Sequence, residues 1–225
     1  MKGEQQVPEN FDGIARLFPL PNLVFFPNVI QPLHIFEPRY KQMTADALAG
    51  DRLITLVQLV EGWDEKDPAP PKIHEVACLG NIVADQKLAD GRYNLLLRGL
   101  SRVRIVRELQ SEKKYRMANV ELLHDQPCAS AQEETALRSA LMQHVPIWFP
   151  AKGQVVEQFQ RLLESDLTLG ALSDIFSFAL PLDARFKQSL LEQLDVEART
   201  RALLKHMETQ GPFDERRFPP DFSSN

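Results

Sequence analysis

The chain has 225 residues, 44% of them hydrophobic and 25% charged, with a formal net charge of −5. That length suits one large domain or two small ones, and the apolar share excludes a wholly disordered chain. The acidic balance disfavours broad non-specific binding to nucleic acid, no run of about 18 apolar residues exists to span a membrane, and the opening MKGEQQVPEN lacks the apolar stretch of a secretory signal.

In chain order, the first half has the period of strands. Arg16–Leu20 and Leu23–Phe26 are short apolar runs cut by Pro21 and Pro27, which remove a ladder donor. Leu33–Phe36 reads as a further strand. Pro38 is placed to open a helix over Arg39–Leu48, with Gly50 to close it. Leu53–Val60 is long, rich in β-branched and apolar residues, as a buried strand should be. Gly62–Lys72 is polar and proline-rich and reads as a loop. Strands resume over Glu75–Val83, and Asp90-Gly91 marks a hairpin between Ala84–Leu88 and Tyr93–Leu97. Arg102–Val106 alternates polar and apolar, and Tyr115–Leu123 is the last strand. Many short strands with turns between them suggest a small barrel or sandwich.

From about Ala129 the period becomes helical. Leu137, Leu141 and Val145 recur at helical spacing up to Pro146, and Val155, Val156, Phe159, Leu162 and Leu163 form an amphipathic stripe. Thr168–Ala179, Ala184–Gln193 and Val196–Met207 complete the helices, with Asp183 and Asp195 as N-caps for the last two. Short links imply antiparallel neighbours in a bundle. The expected class is α+β: a small barrel or sandwich over 14–126 and an α-helical bundle over 127–210, between flexible ends at 1–13 and 211–225.

Catalytic signatures are missing. The sequence has no G-x-x-x-x-G-K-[ST], no G-x-G-x-x-G, no G-x-S-x-G and no H-E-x-x-H. His74-x3-Cys78 and His124-x3-Cys128 repeat one spacing, but residues four apart in a strand lie about 13 Å apart, too far to share one ion without a bend. No metal and no cofactor are expected. Two cysteines and no export signal point to a reducing cytoplasm.

Three groups of residues merit positions in a site. Glu37 and Arg39 stand among apolar neighbours and need partners, which each other, Arg98 or backbone at the strand-to-helix corner could supply, so Glu37, Arg39 and Arg98 are read as a structural polar clamp. Trp63 in the proline-rich loop, and Trp148 and Phe149 between Pro146 and Pro150, are candidates for an exposed apolar binding surface. The same rings also suit an incidental loop position for Trp63 and a plug between barrel and bundle for the other two. From Arg92 to Arg116 eight basic residues face only Glu108 and Glu112, so Arg102, Arg104, Arg107, Lys113 and Lys114 offer an alternative RNA-binding stripe, or simply the solvated faces of strands.

Several motifs agree in order with one family. Phe18-Pro19-Leu20, Val24-Phe25-Phe26-Pro27-Asn28 and Pro32-Leu33-His34-Ile35-Phe36-Glu37-Pro38-Arg39-Tyr40 resemble the opening of the Lon protease N-terminal domain, with Asn28 where that family has a glycine. Cys78–Ile82, Asp90–Ile105, Leu172–Ile175 and Lys187–Arg199 resemble its later strands and helices, so the likeness runs over about residues 14–208. It implies a PUA-like barrel followed by a helical bundle that helps a protease select substrates. The family's ATPase and peptidase have no counterpart here, so the expectation is a free-standing, non-enzymatic binding module. Its expected partners are unfolded or flexible polypeptides and a separate protease, in the cytoplasm, with no membrane and no nucleic acid.

Overall fold

The computed structural model describes residues 7–62, 70–148 and 153–210. Twelve elements follow in order: β1 (Ile14–Leu20), β2 (Ile30–Ile35), α1 (Pro38–Ala49), β3 (Leu53–Gln58), β4 (Val76–Lys87), β5 (Tyr93–Leu109), β6 (Arg116–Leu123), α2 (Ala131–Trp148), α3 (Gly153–Leu163), α4 (Leu169–Ala179), α5 (Ala184–Glu192) and α6 (Val196–Gln210). The chain forms two compact units. The first runs to His124 and includes Ala184–Glu192, and the second comprises Asp125–Asp183 and the chain from Gln193.

In the first unit all six strands join one sheet in the order β2-β5-β4-β3-β1-β6, and β6 pairs with β5 as well as β1. Pairing therefore returns to β5 through five strands. Only β1 and β3 run parallel, joined by a crossover that contains β2 and α1. The long β5 makes this closure possible. Its first half, Tyr93–Arg98, pairs with β2, its second half, Arg102–Leu109, with β6, and β4 holds the opposite edge. Register shifts at Leu79/Gly80, Ile82/Ala84 and Ile105/Arg107 bend the two long strands, as bulges do. The stretches 75–88 and 93–106, expected as pairs of shorter strands, are thereby continuous.

The inward face carries Leu17, Leu53, Val57, Leu79, Val103 and Val120 in one cluster. Every residue of β3 is buried, the polar Thr55 and Gln58 included, as a strand covered on both faces should be. Leu23–Phe26 is the exception to the expected strands. Val24, Phe25 and Phe26 are buried without forming one, because Pro21 and Pro27 bracket a segment too short for a ladder. Pro38 occupies the first turn of α1 and Gly50 follows its end. Within the same unit α5 packs on β4, where Gln188 Nε2 donates to Val76 O at 3.0 Å, and it takes a bond from β5, where Arg102 Nε donates to Leu191 O at 2.8 Å.

In the second unit α2 packs on α3, α4 and α6, and α4 packs on α6. Leu137, Leu141, Phe176, Leu203 and Met207 are among its buried residues, and the Phe159 and Phe176 rings lie 4.6 Å apart. Caps form where short polar side chains precede a helix. Ser130 Oγ accepts from Glu133 N, Thr168 Oγ1 from Ala171 N and Asp195 Oδ1 from Ala198 N. The fully buried Arg199 bonds both oxygens of Asp125 at 3.0 and 2.6 Å and the Gln193 carbonyl at 2.7 Å, with Asp174 at 3.5 Å. Pro146 does not stop α2, which continues to Trp148. One lost bond so near the helix end does not outweigh the burial of the final turn.

Candidate functional site

The outward face of β2, β5 and β4 holds most of what the fold leaves uncovered. Registers place Pro32 opposite Leu96 and Leu96 opposite Ala84, so an apolar row crosses the three strands. Ile30, one pair away, is 46% exposed; Phe36, just past β2, is 51%, Val83 37% and Leu96 40%. These are four of the six large hydrophobic side chains exposed among the described residues, the others being Val106 and Ile147. Alternation explains the placement: Tyr93, Leu95 and Leu97 turn into the core, so Leu96 must turn out. The bulge at Ile82/Ala84 adds Val83 to the same region.

A polar ladder borders the row. Arg92 can only donate, and its Nη1 lies 3.3 Å from His34 Nε2, which therefore accepts. His34 Nδ1–H then donates to Asn94 Oδ1 at 2.7 Å, and Asn94 Nδ2 donates to Gln86 Oε1 at 3.3 Å. One neutral tautomer of His34 satisfies the chain, and the Phe36 ring lies against the imidazole with centroids 6.2 Å apart. Row and ladder line a shallow open concavity of about 460 Å³ that includes Leu33, Asp85 and Leu95. It contains no nucleophile with a base beside it. What it offers chemically is apolar contact area with a polar rim, the composition of a binding face.

The residues chosen from sequence fall elsewhere. Trp63 and Phe149 lie outside the described residues. Trp148 is 3% exposed, and its Nε1–H donates to Met207 O at 2.9 Å, so it presents no surface to a ligand; the correction is that it belongs to the core between α2 and α6. Glu37 and Arg39 pair with each other at 2.9 Å at the surface, where the Arg39 guanidinium also lies over the Tyr40 ring. Arg98 does not join them, so the three make no common clamp.

The basic stripe is also divided. Arg102 is 2% exposed and bonded to a main-chain carbonyl. Lys113 pairs with Asp46 at 2.9 Å, and Tyr115 donates to the same carboxylate at 2.8 Å. Lys113 leads in holding the Asp46 carboxyl below its usual range, while burial pushes the Tyr115 phenol up to about 12. Arg104 and Arg107 remain exposed, Arg104 directly opposite Glu121, and Lys114 is exposed on the loop before β6. Alternation and pairing thus separate these five residues from one another as a cationic stripe. Among the described residues no three His, Cys, Asp or Glu side chains gather as metal ligands, and Cys78 and Cys128 form no disulfide.

Residues 14–209 match the family model of the ATP-dependent protease La (LON) substrate-binding domain. The chain belongs to this family. The chain is 27% identical over 199 residues to the Lon protease of Dictyoglomus thermophilum, covering 87% of this chain and 24% of that one. It is 29% identical over 189 residues to the Lon protease of Trichlorobacter lovleyi, covering 84% and 22%. It therefore spans about a quarter of the length of these curated relatives. Two solved structures share the fold. The Lon N-terminal domain protein from Xanthomonas campestris matches with a TM-score of 0.63 at 21% identity, covering 85% of this chain and 97% of that one. The N-terminal domain of the Mycobacterium avium complex Lon protease matches with a TM-score of 0.67 at 16% identity, covering 88% and 99%.

The exposed face does carry a sequence signal. Leu95-Leu96-Leu97 and Ile82-Val83-Ala84 are apolar on both parities, unlike a strand with one wet side. Such a run marks either burial on both faces or an uncovered apolar patch.

Proposed function

We propose that this chain is a substrate-recognition module that binds unfolded or flexible polypeptides through the outward face of β2, β5 and β4. The module consists of a PUA-like barrel and a helical bundle, performs no catalysis of its own, and acts as a cytoplasmic adaptor that hands bound chains to a separate protease. The supporting observation is the clustering of Ile30, Phe36, Val83 and Leu96 on one face of a domain whose family is described by substrate binding. Apolar residues that a folded protein buries are exposed in an unfolded one, and releasing water from both surfaces favours their contact. The open, shallow form of the face suits many sequences rather than one.

The test is fluorescence anisotropy with a labelled, permanently unfolded polypeptide. Leu96→Asp is expected to weaken binding by about tenfold or more, because it replaces apolar contact area with a carboxylate that binding must desolvate. Val106→Asp, on an exposed apolar residue outside this face, is expected to leave binding unchanged. Equal affinity of wild type and Leu96→Asp would overturn the proposal.

A further inference from the structure

One charged group on the face is not accounted for by its apolar row. Arg98 follows Leu96 by two positions on β5, so both side chains stand on the same side of the sheet. Its cross-strand neighbours are Ile30 on β2 and Asn81 on β4, and neither can neutralise a guanidinium. Arg52 and Arg92, which flank the same three strands, are each held by an aspartate, Asp85 at 2.7 Å and Asp90 at 2.6 Å. Among the described residues no carboxylate pairs with Arg98. A half-buried cation has lost part of its hydration and gains from an anion brought to it.

A second observation limits how a polypeptide can lie there. Gly99 N donates to Val29 O at 2.9 Å, and in an antiparallel ladder bonded positions alternate. Ile30, Pro32 and His34 therefore turn their main-chain groups to the open edge of β2. Pro32 has no N–H, and its carbonyl already accepts from Gln31 Nε2 at 2.7 Å. The middle of that edge is closed to strand addition, so a ligand must be read by its side chains across the face.

We propose that the face selects extended segments in which an apolar residue and a carboxylate stand two positions apart. The row of Pro32, Leu96 and Ala84 receives the apolar side chain, and Arg98 receives the carboxylate. The inference rests on the polypeptide-binding reading above. Leu96 and Arg98 are separated by roughly 6.6 Å along the strand, the same distance as alternate residues of an extended ligand. Either an Asp or Glu side chain or a chain's terminal carboxylate supplies the charge.

The experiment uses short labelled peptides, unstructured and amidated at the C-terminus, that contain Leu-x-Asp, Leu-x-Asn, Leu-x-Lys or Ser-x-Asp, and one peptide with a free terminal carboxylate two positions after its leucine. Wild type is expected to bind Leu-x-Asp about fivefold more tightly than Leu-x-Asn at low salt, with the difference shrinking at high salt. Arg98→Gln is expected to abolish this preference, Arg98→Lys to retain part of it, and Arg98→Glu to transfer it to Leu-x-Lys. A gain confined to the free-terminus peptide identifies the chain end as the source of the charge, and a gain for Leu-x-Asp identifies the side chain. The comparison within wild type stands even if a variant fails to fold. Equal binding of the Asp, Asn and free-carboxylate peptides, with Ser-x-Asp still weaker than Leu-x-Asp, overturns the carboxylate preference and leaves the apolar face standing. Equal binding of Ser-x-Asp and Leu-x-Asp overturns both.

Discussion

Gly99 sits where β5 passes its edge from β2 to β6, and the buried segment ending at Pro27 comes directly against it. A Cβ at this position would lie 2.0 Å from Phe26 O and 3.0 Å from Pro27 Cα. Main chain cannot swing aside as a side chain can, and Gly99 is also pinned by Asn28 N donating to its carbonyl at 3.0 Å. Asn28 answers with a positive φ of 65°, which asparagine tolerates better than most residues. Gly99→Ala is expected to destabilise the protein by about 3 kcal/mol or more, through overpacking against backbone. Gly91 has a positive φ of 79° but open space around it, so Gly91→Ala should cost only about 1 kcal/mol. In a thermal melt the first variant should fall by roughly 6–12 °C and the second by roughly 2–4 °C. If the two variants melt together, the close approach at Gly99 does not limit the fold.

Among the elements, β2 is the one whose sequence is spent on remaining alone. Among the described residues it pairs only with β5, and an open strand edge next to an apolar face invites pairing with other chains. Pro32 interrupts the donors of that edge and Gln31 occupies the central acceptor. Pro32→Val is expected to leave the β2–β5 ladder intact, because residue 32 directs its main chain outward, while restoring an edge donor beside the row. The variant should self-associate with rising concentration in light scattering while wild type does not; a variant that stays as dispersed as wild type would show that Pro32 does not guard the edge. The presence of β2, and of most strands, was legible from apolar runs and proline punctuation. What was not legible follows from three-dimensional causes. Val24-Phe25-Phe26 has a strand's composition but becomes a plug, since composition reports burial and not pairing. Trp148 sits between prolines like an exposed turn, yet α2 carries it into the core, because a proline in the last turn removes one bond rather than the helix. The free guanidinium of Arg98 depends on Ile30 and Asn81 across the ladders, and neither is near it in sequence. The triple leucine around Leu96 is apolar on both parities, as a strand covered on both faces is too, so only the strand order shows that this one is uncovered.

For the whole chain, the compact units do not follow sequence order. A boundary near residue 126, where strand periodicity gives way to helical, would assign every helix from α2 onward to one bundle. Yet α5 belongs with the sheet: its Gln188 side chain holds Val76 O and its Leu191 carbonyl takes the Arg102 guanidinium. Helical period says that α5 has a buried face, but it cannot say which surface covers that face. The first unit is therefore discontinuous, and a fragment ending at residue 126 would lack a part of its own packing. Leu190 and Leu191 are both buried, and losing them should remove roughly 3–5 kcal/mol of apolar burial. The buried Arg102 would also lose its carbonyl partner, an added penalty for a charged group. The fragment 1–126 is accordingly expected to melt well below the sheet unit of the intact chain, to bind an apolar dye, and to exchange the amides of β4 and the second half of β5 faster. Supplying a peptide of residues 183–193 should restore part of that protection, since it returns the missing helix. A fragment whose amides exchange as slowly as those of the intact chain would mean that the sheet is self-sufficient and that α5 is merely docked on it.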